Sequence, residues 1–195
     1  SKRVFWINFI KLRKDYHGTV NVNGGEITGK VRGVTLNNGT LNMNSGKIYV
    51  DQTNSIGVLM EASSDSTFNM NGGSIKSPYI GVQIYNTNNN SYSVKANING
   101  GSISGDTYGI YQRCSYSTVT IGDNTKELSN EIPYVTGGLY GLYNYSGTMN
   151  FYNGRLRGYT YGYYGTFNKL PDGKDIKEVT EEDSEVVNYL TYTTT

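Results

Sequence analysis

The 195-residue chain has one cysteine, one histidine and no surplus of charge, with 17 Lys and Arg against 16 Asp and Glu and a net charge of +1. Each scarcity closes off a class of protein. Cys114 alone makes no internal disulfide, so stability has to come from stacked hydrogen bonding and core packing. His17 alone supports neither a histidine-based metal cluster nor a Ser-His-Asp triad around a second histidine. Near-neutral charge leaves no electrostatic footprint for nucleic acid. The apolar run within Val4-Phe5-Trp6-Ile7-Asn8-Phe9-Ile10 is far short of the ~20 residues that span a bilayer. It has no small-residue cleavage site either. No stretch carries helical periodicity, which rules out βαβ units.

What the sequence does hold is a repeat. Gly18-Thr19-Val20-Asn21-Val22-Asn23-Gly24-Gly25-Glu26-Ile27 returns as Gly39-Thr40-Leu41-Asn42-Met43-Asn44-Ser45-Gly46-Lys47-Ile48 and as Ser66-Thr67-Phe68-Asn69-Met70-Asn71-Gly72-Gly73-Ser74-Ile75. A fourth copy is Lys95-Ala96-Asn97-Ile98-Asn99-Gly100-Gly101-Ser102-Ile103. Degraded copies follow at Thr118-Val119-Thr120-Ile121-Gly122-Asp123 and Gly147-Thr148-Met149-Asn150-Phe151-Tyr152-Asn153-Gly154, and a partial one at Gly165-Thr166-Phe167-Asn168. Self-similarity at spacings of 18 to 30 residues predicts a solenoid. Past each turn glycine a second glycine opens another apolar alternation, as in Gly33-Val34-Thr35-Leu36, Gly81-Val82-Gln83-Ile84 and Gly109-Ile110-Tyr111. The fifth copy replaces the turn with a longer segment, Asn124 to Thr136, and rejoins at Gly141-Leu142-Tyr143.

Alternation of apolar and polar residues at period two is the pattern of half-buried strands. It predicts inward columns of Val20, Leu41, Phe68, Ala96, Val119, Met149 and Phe167, then of Val22, Met43, Met70, Ile98, Ile121 and Phe151. A third column, Ile27, Ile48, Ile75, Ile103 and Leu156, lies beyond a corner at which Asn and Gly accept positive φ. One coil cannot bury such a face alone, so coils stack, and six coils at ~4.8 Å each give a rod core of about 30 Å. The expected architecture is all-β, a parallel β-solenoid of one domain. Residues 1–17 form an N-terminal cap, 18–168 the repeats, and 169–195 a C-terminal strand or hairpin cap, or a linker. Surface association of the apolar start with a membrane is the lesser alternative. The tail holds seven of the sixteen carboxylates and a Pro171-Asp172-Gly173 turn.

Catalysis on polysaccharides needs carboxylates projecting together from adjacent coils. Asp51 and Asp106 share a phase with Lys30, Pro78 and Tyr159, which sets them two coils apart with proline between. The neighbouring columns supply no acidic pair. Cys114 has no histidine nearby in Arg113-Cys114-Ser115-Tyr116, a stretch that reads as loop. Gly122-Asp123-Asn124 resembles a piece of a calcium-binding turn but lacks the glycine-rich nonapeptide that loads calcium in solenoids. The expectation is therefore no catalytic residue, no metal and no cofactor. The Thr-x-Asn array at Thr19-x-Asn21, Thr40-x-Asn42 and Thr67-x-Asn69 invites an ice-binding reading, but its asparagines fit better as a hydrogen-bonded ladder along the stack.

Two outward columns change character along the rod. One reads Thr35, Leu59, Gln83, then Tyr111, Tyr143 and Tyr164; the other Arg32, Ile56, Ile80, then Tyr108, Tyr140 and Tyr161. Stacking between rungs accounts for such a ladder structurally. The functional reading is a binding strip, since tyrosine joins a flat apolar ring to a hydroxyl and suits sugars or a partner protein.

The Asn-Gly-Gly-x-Ile repeats, the Val119-Thr120-Ile121-Gly122-Asp123-Asn124 segment, the Gly147-to-Gly154 run and Leu170-Pro171-Asp172-Gly173 resemble repeat-rich, adhesin-like surface proteins of Gram-positive bacteria with a pectate-lyase-like right-handed parallel β-helix. The resemblance spans residue 18 to about 190. It implies an extracellular or cell-surface setting, and a chain that is part of a longer surface protein or fibre. The function expected is a non-catalytic module for adhesion, display or spacing, with a glycan or host surface protein as partner. The alternatives are a polysaccharide lyase or glycoside hydrolase with its carboxylates in the long loops Gln52 to Asp65, Asn86 to Val94 or Asn124 to Thr136, where Glu127 and Glu131 lie, and a fibre subunit or phage receptor-binding spike.

Overall fold

The computed structural model describes residues 6–7, 10–12, 18–86, 91–129, 131–181 and 185–192. His17, most of the 1–17 segment and part of the Asn86-to-Val94 loop lie outside them. The described chain is all-β, and its strands pair mostly in parallel. No helix long and apolar enough to cross a membrane occurs among the described residues.

The repeat dictates three ladders. The first runs through the N-terminal halves of β3 (Thr19–Gly29) and β5 (Gly39–Val50), then β7 (Ser66–Met70), β10 (Val94–Ile98), the C-terminal halves of β12 (Tyr108–Ile121) and β14 (Tyr140–Phe151), and β17 (Phe167–Lys169). Its register places Val20, Leu41, Phe68, Ala96, Val119, Met149 and Phe167 in one row. The second ladder takes β1 (Trp6–Ile7), the C-terminal halves of β3 and β5, β8 (Ser74–Ser77), β11 (Ser102–Gly105), β13 (Tyr134–Gly137) and β15 (Arg155–Gly158). The third takes β2 (Ile10–Leu12), β4 (Arg32–Leu36), β6 (Ile56–Glu61), β9 (Ile80–Tyr85), the N-terminal halves of β12 and β14, and β16 (Tyr161–Tyr164). Among the described residues no pairing joins the last strands to the first, so the sheet is not closed into a barrel.

Inward residues from all three ladders form one contiguous core. Phe68, Met43, Ile48, Met60, Ile84 and Phe151 are among its fully buried side chains, each worth about 1.5–3 kcal/mol of transfer free energy. Two differences from the sequence expectation stand out. The long segment of the fifth repeat ends sooner than Thr136: Tyr134–Gly137 is a ladder strand, and buried Val135 fills the gap between Ile103 and Leu156. Cys114 is not in a loop but within β12, and is buried.

The corners also divide their work differently. Positive φ falls on the last glycine, at Gly25, Gly46, Gly73 and Gly101, and not on the asparagine. The asparagines instead make two side-chain ladders. Asn42 Nδ2 donates to Asn21 Oδ1, Asn69 to Asn42 and Asn97 to Asn69, each at 2.8 Å. Asn44 donates to Asn23, Asn71 to Asn44 and Asn99 to Asn71 at 2.7, 2.8 and 3.0 Å.

At the far end, β18 (Lys174–Thr180) and β19 (Val186–Tyr192) form an antiparallel hairpin, and β19 pairs antiparallel with β15. Arg155 pairs with Glu131 and Glu181, and Arg157 pairs with Glu185 while donating to Tyr134 Oη at 2.9 Å. The Pro171-Asp172-Gly173 turn leads into the hairpin, closed by a bond from Lys174 N to Pro171 O of 3.3 Å.

Candidate functional site

Residues three apart on a regular strand face opposite sides. Tyr108 and Tyr111 nevertheless share a side, because the chain bends at Gly109. Gly109 and Ile110 are buried in succession, and the two rings return within 5.2 Å of each other. Glycine is required there by close approach: a Cβ on Gly109 would lie 2.5 Å from Gly141 O and 2.7 Å from Thr136 O. The same packing recurs at Gly33, Gly57, Gly81 and Gly141, each set against the next rung's glycine carbonyl.

This bend, repeated over three rungs, brings the six predicted tyrosines into one patch. Tyr111, Tyr143 and Tyr164 stack at 5.6 and 4.8 Å with rings 8° and 9° from parallel. Tyr108, Tyr140 and Tyr161 stack at 6.1 Å per step. Cross-contacts knit the two columns, Tyr108 to Tyr143 at 5.4 Å and Tyr140 to Tyr143 at 5.1 Å, and Tyr79 adds an edge contact to Tyr108 at 6.5 Å. Ring faces are largely spent on one another, so the strip presents ring edges and hydroxyls along its length. Tyr161 and Tyr164, the last rungs, are about half exposed at 50% and 49%. In the N-terminal half the columns carry no aromatic residue and are partly covered: Thr35, Leu59 and Ile80 are buried, while Arg32 is exposed, which confines the aromatic strip to the tyrosine half.

Burial, followed by the neighbouring phenols, pushes the hydroxyl pKa of Tyr108 and of Tyr143 above the ordinary 10.0. The folded chain therefore holds these protons at pH values where the unfolded chain has lost them. Stability is fully present below about pH 10 and is lost as pH rises through the higher folded-state values. Thermal melts are expected to be level from about pH 8 to 10 and to decline above, and the decline should shrink in the Tyr108→Phe, Tyr143→Phe variant. An identical alkaline decline in that variant would show that the strip is not its source.

The carboxylates on the repeat columns stay apart, while Glu131 and Glu181 meet at Arg155. Asp51 and Asp106 are exposed and two rungs distant by register. In the fifth-repeat loop Glu131 faces Arg155, and Glu127 is exposed with its carbonyl accepting from Asn153 Nδ2 at 2.6 Å. Buried Asn153 also accepts from Ser129 N at 2.5 Å, and the two bonds tie that loop to the body, a role its sequence position did not announce. Asp123 closes a local turn, accepting from Thr125 N and Oγ1 at 2.9 and 2.7 Å, and these bonds hold its carboxyl below the usual range. Among the described residues no group of three His, Cys, Asp or Glu is placed to hold a metal.

No protein-family model matches the chain, and comparison with curated proteins and with solved structures finds no match.

Proposed function

We propose that the chain is a right-handed parallel β-helix acting as a non-catalytic module of a bacterial cell-surface or secreted protein, where it serves adhesion or display by binding glycan along the tyrosine strip. Three parallel ladders advancing one repeat at a time support the winding, and right-handed crossover is the rule for parallel connections. The observation that carries the binding reading is the fused double column of tyrosines, an aromatic surface edged with hydroxyls on a rigid sheet. Support for a non-catalytic role is the dispersal of the described carboxylates over turns and ion pairs.

The test is a glycan and mucin array probed with the purified chain, with released reducing sugar and unsaturated uronate followed on the same polysaccharides. Binding without turnover is expected. Replacing Tyr111, Tyr143 and Tyr164 with serine should weaken it by about tenfold or more, several lost ring contacts at about 0.5–1.5 kcal/mol each. Circular dichroism would verify the fold of that variant. Turnover, or unchanged binding by the folded variant, would overturn the reading.

A further inference from the structure

Arg113 sits beside the tyrosine strip, two residues beyond Tyr111 on β12, and its surroundings are unlike those of the other described arginines. Arg32 pairs with Glu61, Arg155 with Glu131 and Glu181, and Arg157 with Glu185. Arg113 is exposed and faces no carboxylate among the described residues. Glu61, the acid on the same row, is two rungs away and is already engaged by Arg32 and by Asn37 Nδ2 at 2.7 Å.

What flanks Arg113 instead is aromatic on both sides. Its guanidinium carbon lies 5.6 Å from the centre of the Tyr85 ring on the preceding rung and 5.4 Å from that of Tyr145 on the following one. A register shift creates the second contact: Gln112 pairs with Asn144 but Arg113 with Ser146, so Tyr145 is the extra residue of a bulge, 65% exposed. Bulges re-aim side chains in this way. Rings over a guanidinium occupy its faces and leave its in-plane N–H fork open. Arg113 lines an open cleft of about 350 Å³ together with Ser115, Tyr116 and Ser146, within the size range of small-ligand sites.

We infer that this cleft is the subsite for a carboxylate-bearing sugar ring, with Arg113 holding the carboxylate bidentately and the exposed rings of Tyr145 and Tyr116 flanking the pyranose. The inference rests on the glycan-binding reading above and narrows it to acidic glycans. A planar fork matches a carboxylate, and a lysine in its place would keep the charge but lose the geometry.

The experiment compares a uronic-acid oligosaccharide with the same oligosaccharide after its carboxyls are reduced to alcohols, a sulfated neutral glycan and a peptide ending in a free carboxylate. Each is titrated against the parent chain, Arg113→Gln and Arg113→Lys. The parent should prefer the acidic oligosaccharide over its reduced form by about tenfold, Arg113→Gln should lose that preference, and Arg113→Lys should recover only part of it. Equal binding of the acidic and reduced forms would overturn the inference and leave the tyrosine-strip reading standing. Binding of neither would remove both. Equal binding of the sulfated glycan, or full rescue by lysine, would replace carboxylate recognition with simple charge attraction, and preference for the peptide would replace the sugar. Circular dichroism should show the same fold in the parent and the variants, with Arg113→Gln melting slightly lower for the loss of its contacts with Tyr85 and Tyr145.

Discussion

Gly109→Ala is expected to be strongly destabilising for a single-methyl change, costing about 3 kcal/mol or more, at the upper end of overpacking penalties. The added Cβ would meet Gly141 O at 2.5 Å and Thr136 O at 2.7 Å, both backbone atoms fixed in ladders, with Val135 Cγ1 also at 2.7 Å. No flexible side-chain end is available to move aside from the two carbonyls. Relief requires prising β12 from β14 at the bend that aims Tyr108 and Tyr111 together, so binding along the strip should fall with stability. Against a total of about 5–15 kcal/mol for a typical domain, a loss of this size is a large share. Urea melts of Gly109→Ala beside Lys76→Ala, a change at an exposed position, would test it. A Gly109→Ala midpoint equal to the parent's would mean the ladders are looser than the geometry describes.

Removing the C-terminal hairpin should do as much damage by another route. Without residues 171–195 the outer edge of β15 loses its partner, and the N–H and C=O groups of Arg155 to Gly158 that pair with β19 are left open. Buried Val187 no longer covers the end of the stack, and Arg155 and Arg157 lose Glu181 and Glu185. An open, flat edge is a template for other chains. The truncated chain is therefore expected to form higher oligomers or precipitate where the full chain stays dispersed, as read by light scattering after size exclusion. A milder form is Arg157→Ala, which removes a charged pair and its bond to Tyr134 at about 1.5–3 kcal/mol and should quicken proteolysis near Gly173. A truncated chain that remains monomeric and melts like the parent would show that the hairpin is dispensable.

Much of this was legible in the sequence because a repeat reports its own register. The rows from Val20 to Phe167 and from Val22 to Phe151, and the pairing of Tyr111 with Tyr143 and Tyr164, follow from phase alone. Phase failed where the chain gained or lost residues. Val135 was hidden by the insertion before it, though Tyr134-Val135-Thr136-Gly137 has the alternation and glycine of Arg155-Leu156-Arg157-Gly158, its ladder partner. Within the start expected to cap the first coil, Trp6–Ile7 and Ile10–Leu12 pair in parallel with β3 and β4, a pairing the repeat does not extend to. Nothing in one-dimensional spacing marks the bulge that swings Tyr145 beside Arg113. Nor does period two reveal that Thr35 and Leu59, on an outward phase, are buried. Burial on an outer face depends on what lies over it, which is a tertiary property.

The asparagine ladders have a direction. From Asn21 to Asn97 and from Asn23 to Asn99, the amide nitrogen of each step belongs to the later repeat and the accepting oxygen to the earlier one, so the side-chain dipoles add head to tail. Each finished rung thus presents a row of oriented acceptors to the rung that follows it in the chain. A polypeptide emerging amino terminus first meets that row already assembled, and its own asparagines bring the matching donors. The ladder is thus polar along the rod, with acceptors toward its carboxy-terminal face and donors toward its amino-terminal face, so each face accepts only a rung in the same orientation.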